Sequence, residues 1–279
     1  MATGLLHPGS MGTALGTALD GTVLWAGKGR SQATRDRAVA AGFSEVSDLE
    51  TLCRRSTAIV SVCPPGAAEE VARQVASTGF TGVYLDANAV APATARRIGG
   101  LFDRFVDGGI IGLPPTPERR AALYLSGDDA AAVDEMAGLF SHGLFDVRRV
   151  EGGIGAASAV KVCFAAWTKG TAALLTVINA LAEAEGVSEV LGEEWAISMP
   201  DLPPRSRATA AAVGPKAWRF GGELREIAAA LADAGLPTGF ASAAADTYDR
   251  LATLVDVPGP TLEDAVELLL GRSRTTRAT

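Results

Sequence analysis

The sequence predicts an α/β fold, in which an N-terminal parallel sheet is followed by an all-α domain entered by a long interdomain helix. The first half alternates short β-branched runs with alanine-rich amphipathic stretches, the pattern of a parallel sheet covered by helices. From Ala156 to about Glu185 the chain is apolar and proline-free, which predicts one long helix. We place the domain boundary near Gly152–Gly155, with residues 1–153 before it and 154–279 after it.

The predicted elements follow this division in order. Strands are predicted over Thr3–Leu6, Thr22–Trp25, Ala58–Cys63, Gly82–Leu85, Phe105–Asp107 and Leu123–Ser126. Helices are predicted in this half over Ser31–Ala41, Ala67–Thr78 and Asp129–Phe140. In the second half they are predicted over residues 188–198, 215–234, 241–253 and 262–270. Met199–Pro204 and Leu236–Gly239 are expected to separate these later helices.

Composition narrows the function classes. Of 279 residues 48% are hydrophobic and 20% charged, which is typical of a globular protein. The net charge of -7 argues against a nucleic-acid or anionic-membrane partner. The first residues lack a signal-peptide pattern, and no run approaches the roughly 20 apolar residues of a membrane span. Three cysteines and two histidines show no metal-ligand spacing, so we expect a cytoplasmic protein without a metal.

A glycine-rich turn joins the first strand to the first helix. The strand TGLL runs directly into His7-Pro8-Gly9-Ser10-Met11-Gly12, the position of the G-x-G-x-x-G fingerprint, with His7 in place of its first glycine. Gly9 lets the backbone approach a pyrophosphate, Gly12 permits close packing, and the helix N-terminus supplies free N–H groups. Because the turn opens a βαβ unit, we interpret it as the dinucleotide-binding turn of a Rossmann-type domain. An arbitrary glycine-rich turn is the alternative.

The loop after the second strand indicates which dinucleotide binds. An NAD enzyme usually carries an acidic residue there for the ribose 2′-hydroxyl. Here the strand runs into Ala26-Gly27-Lys28-Gly29-Arg30-Ser31, with no acidic residue in reach. Lys28, Arg30 and Ser31 suit a 2′-phosphate, so we expect NADP(H) to be preferred over NAD(H). A solvated loop with two incidental charges is the alternative.

Five segments in order resemble the motifs of the β-hydroxyacid dehydrogenase and 6-phosphogluconate dehydrogenase superfamily. They are HPGSMG at 7–12, VCPPGAAEEV at Val62–Val71, DANAVAPATARRI at Asp86–Ile98, FVDGGIIG at Phe105–Gly112 and GIGAASAVK, which ends at Lys161. KAWRFGGELREI from Lys216 resembles the family's second lysine helix, beside the active-site cleft. The particular residues of these motifs are similar to those of a subgroup of NAD(P)-dependent oxidoreductases with a C-terminal domain of unknown function.

The resemblance implies the chemistry. It implies an NADP(H)-dependent dehydrogenase or reductase of the 3-hydroxyisobutyrate or 6-phosphogluconate dehydrogenase-like type, transferring a hydride between the nicotinamide and a hydroxyl/carbonyl pair. Cys63, Pro64 and Pro65 match the loop that contacts the cofactor ribose, and Asn88 lies near the nicotinamide. Lys161 matches the catalytic lysine, the general acid/base. From the residues alone, a lysine among apolar neighbours either moves a proton or extends to solvent.

The chain departs from the family pattern where substrate binds. Phe164 and Ala165 stand where relatives carry an asparagine one turn after the lysine, and Ile111 replaces a serine. Thr168 or Asn88 is a candidate replacement, and with Trp167 the pocket becomes more apolar, favouring a larger, less acidic substrate. The expected substrate contacts are Asn88, Gly109, Ile111, Gly112, Phe164, Ala165, Trp167, Thr168 and Lys216.

Two alternative functions and a homodimeric partner are also expected from the sequence. Imine-reducing relatives share the architecture, so C=N reduction with the same cofactor is the first alternative, although a cationic Lys161 suits an iminium poorly. A non-catalytic cofactor-binding protein is the second. The long helix is apolar on more faces than one small domain covers, which predicts a homodimer.

Overall fold

The computed structural model describes residues 2–140 and 143–272, and the side chains of all of these except residues 210–213. It divides into two compact units, Met1–Val162 and Cys163–Thr279. The dividing point lies inside the long predicted helix, a few residues beyond the glycines at which the sequence analysis places the boundary.

The described part of the first unit forms one eight-stranded sheet. Its strands are β1 (Ala2–Leu6), β2 (Thr22–Ala26), β3 (Ser44–Val46), β4 (Ala58–Ser61), β5 (Val83–Asp86), β6 (Phe105–Ile111), β7 (Ala121–Ser126) and β8 (Phe145–Arg149). They lie in the order β3-β2-β1-β4-β5-β6-β7-β8, and all neighbours are parallel except β6 and β7. The first six strands have the doubly wound order of a Rossmann domain, which confirms the predicted α/β fold.

Helices cover both faces of this sheet. They are α1 (Ser10–Ala18), α2 (Gln32–Ala40), α3 (Leu49–Arg55), α4 (Ala68–Ser77), α5 (Pro92–Gly99) and α6 (Ala130–Gly138). Successive residues of one strand pack into opposite cores, as the two-residue period of a strand requires. Leu5 contributes to one buried core and Leu6 to the other. Strands buried on both faces explain why these runs are apolar throughout.

The second unit is helical. Helix α7 (Ala156–Ala184) enters it, and the others are α8 (Ser188–Ser198), α9 (Leu202–Val213), α10 (Ala217–Asp233), α11 (Gly239–Arg250) and α12 (Leu262–Leu269). A nearly buried ion pair between Lys169 and Glu223 joins α7 to α10. The Tyr248 hydroxyl donates to the Lys169 carbonyl over 2.8 Å, and its ring meets Phe220 edge-to-face. These contacts tie α7, α10 and α11 together.

Among the described residues, α7 is long and apolar enough, by length and composition, to cross a membrane. The expectation that no segment approaches this length and hydropathy is therefore wrong. The helix nevertheless carries Lys161 and Lys169. Lys169 pairs with Glu223 of α10, as expected for a helix that packs on other helices. Core helices of soluble proteins meet the same criteria of length and composition.

The predicted strands and helices lie within a few residues of the observed ones, while several elements have no counterpart in the sequence analysis. Those elements are β3, β8, α3, α5 and α9. The two strands lie at the sheet edges and carry polar residues, so neither shows the apolar run of a central strand. Residues 202–204, interpreted as part of a break, form the first turn of α9. Pro203 and Pro204 are tolerated there because first-turn N–H groups have no helical partner anyway.

A buried carboxylate holds the beginning of α7 against the sheet. Asp107 of β6 is fully buried, and its Oδ2 accepts hydrogen bonds from the backbone N–H of Gly155 (3.0 Å) and of Ser158 (2.9 Å). The Ser158 hydroxyl donates to Oδ1 of Asp107 (2.5 Å), and the Ser126 hydroxyl donates to Oδ2 (3.1 Å). The Ser126 hydroxyl oxygen accepts from the Ala157 N–H in turn. Burial raises the pKa of Asp107, and the four donors oppose that rise.

Asp107→Ala should destabilise the protein by about 3–5 kcal/mol, because four buried donors lose their acceptor together. Asp128→Ala is the matched control, since Asp128 accepts one exposed bond from the Ile154 N–H on the same segment. It should cost no more than about 1 kcal/mol. Urea denaturation of both variants measures the difference. Equal losses would show that Asp107 is not the anchor of α7.

Candidate functional site

The predicted cofactor residues gather at one edge of the sheet. Strands β1, β2, β4 and β5 are parallel, so their carboxyl ends meet there, the place where doubly wound sheets bind ligands. The His7–Gly12 turn follows β1, the Lys28–Ser31 loop follows β2, Cys63–Pro65 follows β4 and Asn88 follows β5.

The turn after β1 has a backbone shaped for close approach. His7 has φ 66°, the one positive value among the described residues other than glycine. A Cβ on Gly12 would lie 2.4 Å from the His7 carbonyl oxygen, so only glycine fits there. A Cβ on Gly9 would meet nothing nearer than 4.0 Å, which leaves open space beside the start of α1. Ser10 and Met11 begin that helix, whose first N–H groups have no helical acceptor.

A pocket of about 220 Å³ opens beside this turn. It is lined by Leu5, Leu6, His7, Ala26, Lys28, Arg30, Asp48, Leu49, Val71 and Gln74. Leu5 and Leu6 of this lining are buried, the charged side chains and His7 come from the loops after β1, β2 and β3, and Gln74 comes from α4. An apolar floor with a few convergent polar groups is typical of a small-molecule site.

Two cations and one carboxylate share the pocket lining. Within the described residues neither Lys28 nor Arg30 has an ion-pair partner, whereas Arg35 on the neighbouring helix pairs with Glu45. Asp48 also lines the pocket, so the expectation that no acidic residue is in reach is wrong. The Asp48 carboxylate caps α3 by accepting from the Thr51 N–H over 2.8 Å, and this bond holds its pKa at about 2.

Ser31 does not line the pocket with the two cations. Its exposed side chain caps α2, where the oxygen accepts from the Thr34 N–H over 3.3 Å. Ser31 is expected from the sequence to bind the cofactor beside Lys28 and Arg30, but in the fold its hydroxyl caps the beginning of α2.

Asn88 is occupied inside the protein. Its Nδ2 donates to Asp86 (2.9 Å) and to Ser61 (3.3 Å), and its Oδ1 accepts from the Cys63 N–H at 2.5 Å. The side chain is buried and joins the ends of β4 and β5, so contact with a ligand would cost one of these bonds. Burial raises the pKa of Asp86 to about 7, against the two bonds from Asn88, and the nearby Asp107 adds to the rise.

Lys161 lies at the same edge as the pocket. Asp107 of β6 pairs with Asp86, the last residue of β5, so residues 108–111 extend beyond the carboxyl end of β5. Gly109 on that extension meets the second turn of α7: a Cβ there would lie 2.5 Å from the Ala157 carbonyl oxygen and 3.2 Å from the Lys161 Cβ. Gly109 is buried under α7, which gives it a packing role. Ile111 ends the strand, and Gly112 follows with φ 125°.

The other predicted substrate contacts belong to the second unit. Phe164 and Trp167 expose 46% and 64% of their surface, whereas Ala165 is buried. The Thr168 hydroxyl donates to the Phe164 carbonyl of its own helix over 2.9 Å, which leaves its oxygen free only to accept. Lys216 stands half-buried at the N-cap of α10. A shallow pocket of about 140 Å³ in this unit includes Trp167 and Thr168 in its lining.

Comparison with known proteins assigns part of the chain to a family. Residues 182–251 match the domain of unknown function DUF1932. A curated relative, an uncharacterised 28.5 kDa protein from Methanothermus fervidus, is 29% identical over 168 residues, 60% of this chain. The match spans 64% of that relative's length.

Solved structures match nearly the whole chain. A conserved protein of unknown function, described as structurally similar to 3-hydroxyacid dehydrogenases, matches with TM-score 0.68 and 24% identity, over 91% of this chain and 98% of the other. Mycobacterium tuberculosis 3-hydroxyisobutyrate dehydrogenase with L-serine matches with TM-score 0.69 and 16% identity, over 96% and 98%. The chain has the β-hydroxyacid dehydrogenase-like fold, and residues 182–251 of its helical part match the DUF1932 model. A reductive aminase from Aspergillus terreus, in complex with NADPH4, cyclohexanone and allyl amine, matches less closely, with TM-score 0.53 and 18% identity over 96% and 98%.

Some residues of the site are absent from the sequence-based set. Asp48 and Leu49 reach the pocket through the short strand β3 and helix α3, and Val71 and Gln74 reach it through α4. Arg37 donates to the Pro8 carbonyl over 3.3 Å and so braces the turn. The run Ser47-Asp48-Leu49-Glu50 carries an N-cap signal that could have identified α3.

Proposed function

We propose that the chain is an NADP(H)-dependent oxidoreductase that transfers a hydride between the nicotinamide and a hydroxyl/carbonyl pair of a small substrate. The observation that carries the proposal is the pocket at the carboxyl edge of the sheet. It joins a glycine-rich turn at a helix N-terminus to two cations that have no ion-pair partner among the described residues. An anionic dinucleotide supplies the negative charge that this arrangement lacks.

The residues of the turn fit such a cofactor. The N–H groups at the start of α1 and the open space beside Gly9 suit a pyrophosphate, and Lys28 and Arg30 suit a ribose 2′-phosphate. The Asp48 carboxylate is directed to the N-terminus of α3, where the helix dipole stabilises its charge. When bound, the nicotinamide cofactor supplies or accepts the hydride.

Lys161 is proposed as the general acid/base. A proton must move on the substrate oxygen as the hydride moves on carbon, and a lysine ammonium among apolar side chains can donate that proton and take it back. Lys161 extends from the second turn of α7, where the Asp107 anchor and the missing side chain of Gly109 fix the helix against β6. Asn88, Ile111, Gly112, Phe164, Trp167, Thr168 and Lys216 remain the proposed substrate contacts.

We propose carbonyl chemistry ahead of imine reduction. The structural matches to hydroxyacid dehydrogenases have higher TM-scores than the match to a reductive aminase, 0.68 and 0.69 against 0.53. Lys161 agrees with this order, since an ammonium group repels an iminium ion. Imine reduction remains the second candidate because imine reductases share the fold.

We propose that the protein is soluble, cytoplasmic and homodimeric. Large apolar side chains of α7 lie along one face of the helix and are exposed, among them Leu174 (53%) and Leu181 (60%). A helix face of this kind is stable in water when another apolar surface covers it. A second copy of the chain is the proposed partner, with no nucleic acid and no membrane involved.

Arg30→Ala should weaken NADP(H) binding by about 10- to 100-fold, because a charge-assisted bond to the 2′-phosphate is lost. NADH binding should change little, since it lacks that phosphate. Arg55→Ala, at the exposed end of α3 and outside the pocket lining, is the matched control. Fluorescence titration with both cofactors tests this. Equal affinity of the wild-type protein for NADPH and NADH would contradict the assignment.

Lys161→Met should preserve the fold and NADPH affinity while reducing turnover about 10²–10⁴-fold, the usual contribution of acid/base catalysis. Lys161→Arg should recover little, because a guanidinium does not release its proton at neutral pH. The assay uses the best substrate from a screen of aldehydes, ketones and cyclic imines. A near-native rate for Lys161→Met would exclude Lys161 as the proton donor.

Leu174→Glu combined with Leu181→Glu should convert a dimer to monomers, because two carboxylates per chain would be buried in the proposed interface. Val39→Glu, which changes an apolar side chain of α2 that is 69% exposed, is the control and should leave the dimer intact. Sedimentation velocity distinguishes the states. A wild-type protein that is monomeric at micromolar concentration would refute the dimer.

A further inference from the structure

His7 occupies an unusual position in the dinucleotide turn. Its backbone has φ 66°, in the left-handed region that favours glycine. The fingerprint normally has a glycine at this position. Its side chain lines the pocket with Lys28 and Arg30, and its Nδ1 atom is buried without a hydrogen-bond partner among residues 2–140 and 143–272. An unsatisfied buried nitrogen costs free energy that a ligand can recover by bonding to it.

The surroundings keep this imidazole neutral in the free protein. Burial, and to a smaller extent the positive charge of Arg30, together lower the pKa of His7 to about 4. The charged and titratable groups that line the pocket or adjoin the turn are Lys28, Arg30, Arg37, Asp48 and Cys63. Burial raises the pKa of the Cys63 thiol to about 12, so it is neutral, and the Asp48 charge is held at the start of α3. The cations therefore dominate around His7.

We propose that His7 is a third ligand of the ribose 2′-phosphate, and that its imidazole takes up a proton from solvent when that phosphate binds beside Arg30. The proposal rests on the proposed binding of NADP(H). The phosphate brings negative charge that offsets the guanidinium, and protonation makes both ring nitrogens donors, so that Nδ1 can donate to a phosphate oxygen and the ring carries a positive charge beside it. A histidine in place of the first glycine thus becomes a determinant of cofactor choice.

The sign of the pH effect follows from this linkage. The His7 pKa is higher in the complex than in the free protein, so the complex holds more protons. Affinity for NADP(H) therefore gains a contribution that grows as the pH falls below the His7 pKa of the complex, and that levels off near the free-protein value of about 4. NAD(H) lacks the 2′-phosphate and gains less.

Nuclear magnetic resonance of the labelled imidazole ring tests the proposal directly. The chain has two histidines, so His7→Asn identifies the His7 signal and leaves the other as an internal reference. Asparagine tolerates a positive φ but does not titrate, and His7→Gly replaces it if the asparagine variant fails to fold. The ring is titrated in the free protein, with saturating NADP+ and with saturating NAD+.

NADP+ should raise the His7 pKa by at least about one unit, equivalent to about tenfold tighter binding to the protonated form, and NAD+ should raise it less. The ratio of the NADP+ Kd of His7→Asn to that of the wild type should increase about threefold between pH 7 and pH 4.5 for a one-unit rise. Taking this ratio cancels the titration of the phosphate itself, which is common to both proteins. A His7 pKa unmoved by bound NADP+, or moved equally by NAD+, would overturn the proposal. Absence of NADP+ binding at any pH would instead refute the proposed function.

Discussion

The site depends on one buried carboxylate. Asp107 collects four hydrogen bonds in the interior, two of them from backbone N–H groups at the beginning of α7. An acidic group at a helix N-terminus also meets the positive end of the helix dipole, which favours its charged form against the effect of burial. Because Lys161 lies on the next turn of that helix, the carboxylate that begins α7 also sets where the proposed acid/base stands.

The cofactor side of the site contains two cations, and neither has a counter-ion in the part of the chain that the structure describes. Lys28 and Arg30 face a pocket whose acidic residue, Asp48, is directed toward a helix N-terminus. His7 adds a nitrogen that has no partner, beside a turn in which Gly12 is required by the His7 carbonyl. The buried His7 nitrogen carries a cost in the free protein. The 2′-phosphate of a dinucleotide would offset that cost and neutralise the two exposed cations at the same time.

The sequence predicts the sheet, the turn and the long helix because their signals are local. Buried strands appear in the sequence as apolar runs, and the His7–Gly12 turn lies directly between β1 and α1. The short edge strand β3 gives no such signal, and the N-cap signal before α3 does not show where that helix packs, so Asp48 could not be placed in the pocket. The Asp107 anchor joins residues about fifty positions apart, and the engagement of Asn88 depends on neighbouring strand ends. Such contacts are fixed by tertiary structure, which no local pattern contains.

A crystal structure with NADP+ bound tests the central claim most directly, because one map shows both ends of the cofactor. The account predicts the 2′-phosphate against Lys28 and Arg30, the pyrophosphate at the N-terminus of α1, and the nicotinamide ring beside the Lys161 side chain at the end of β6. A cofactor bound at this edge with its nicotinamide ring out of reach of Lys161 would contradict the catalytic assignment. A 2′-phosphate that avoids both cations would contradict the basis of the proposed cofactor preference.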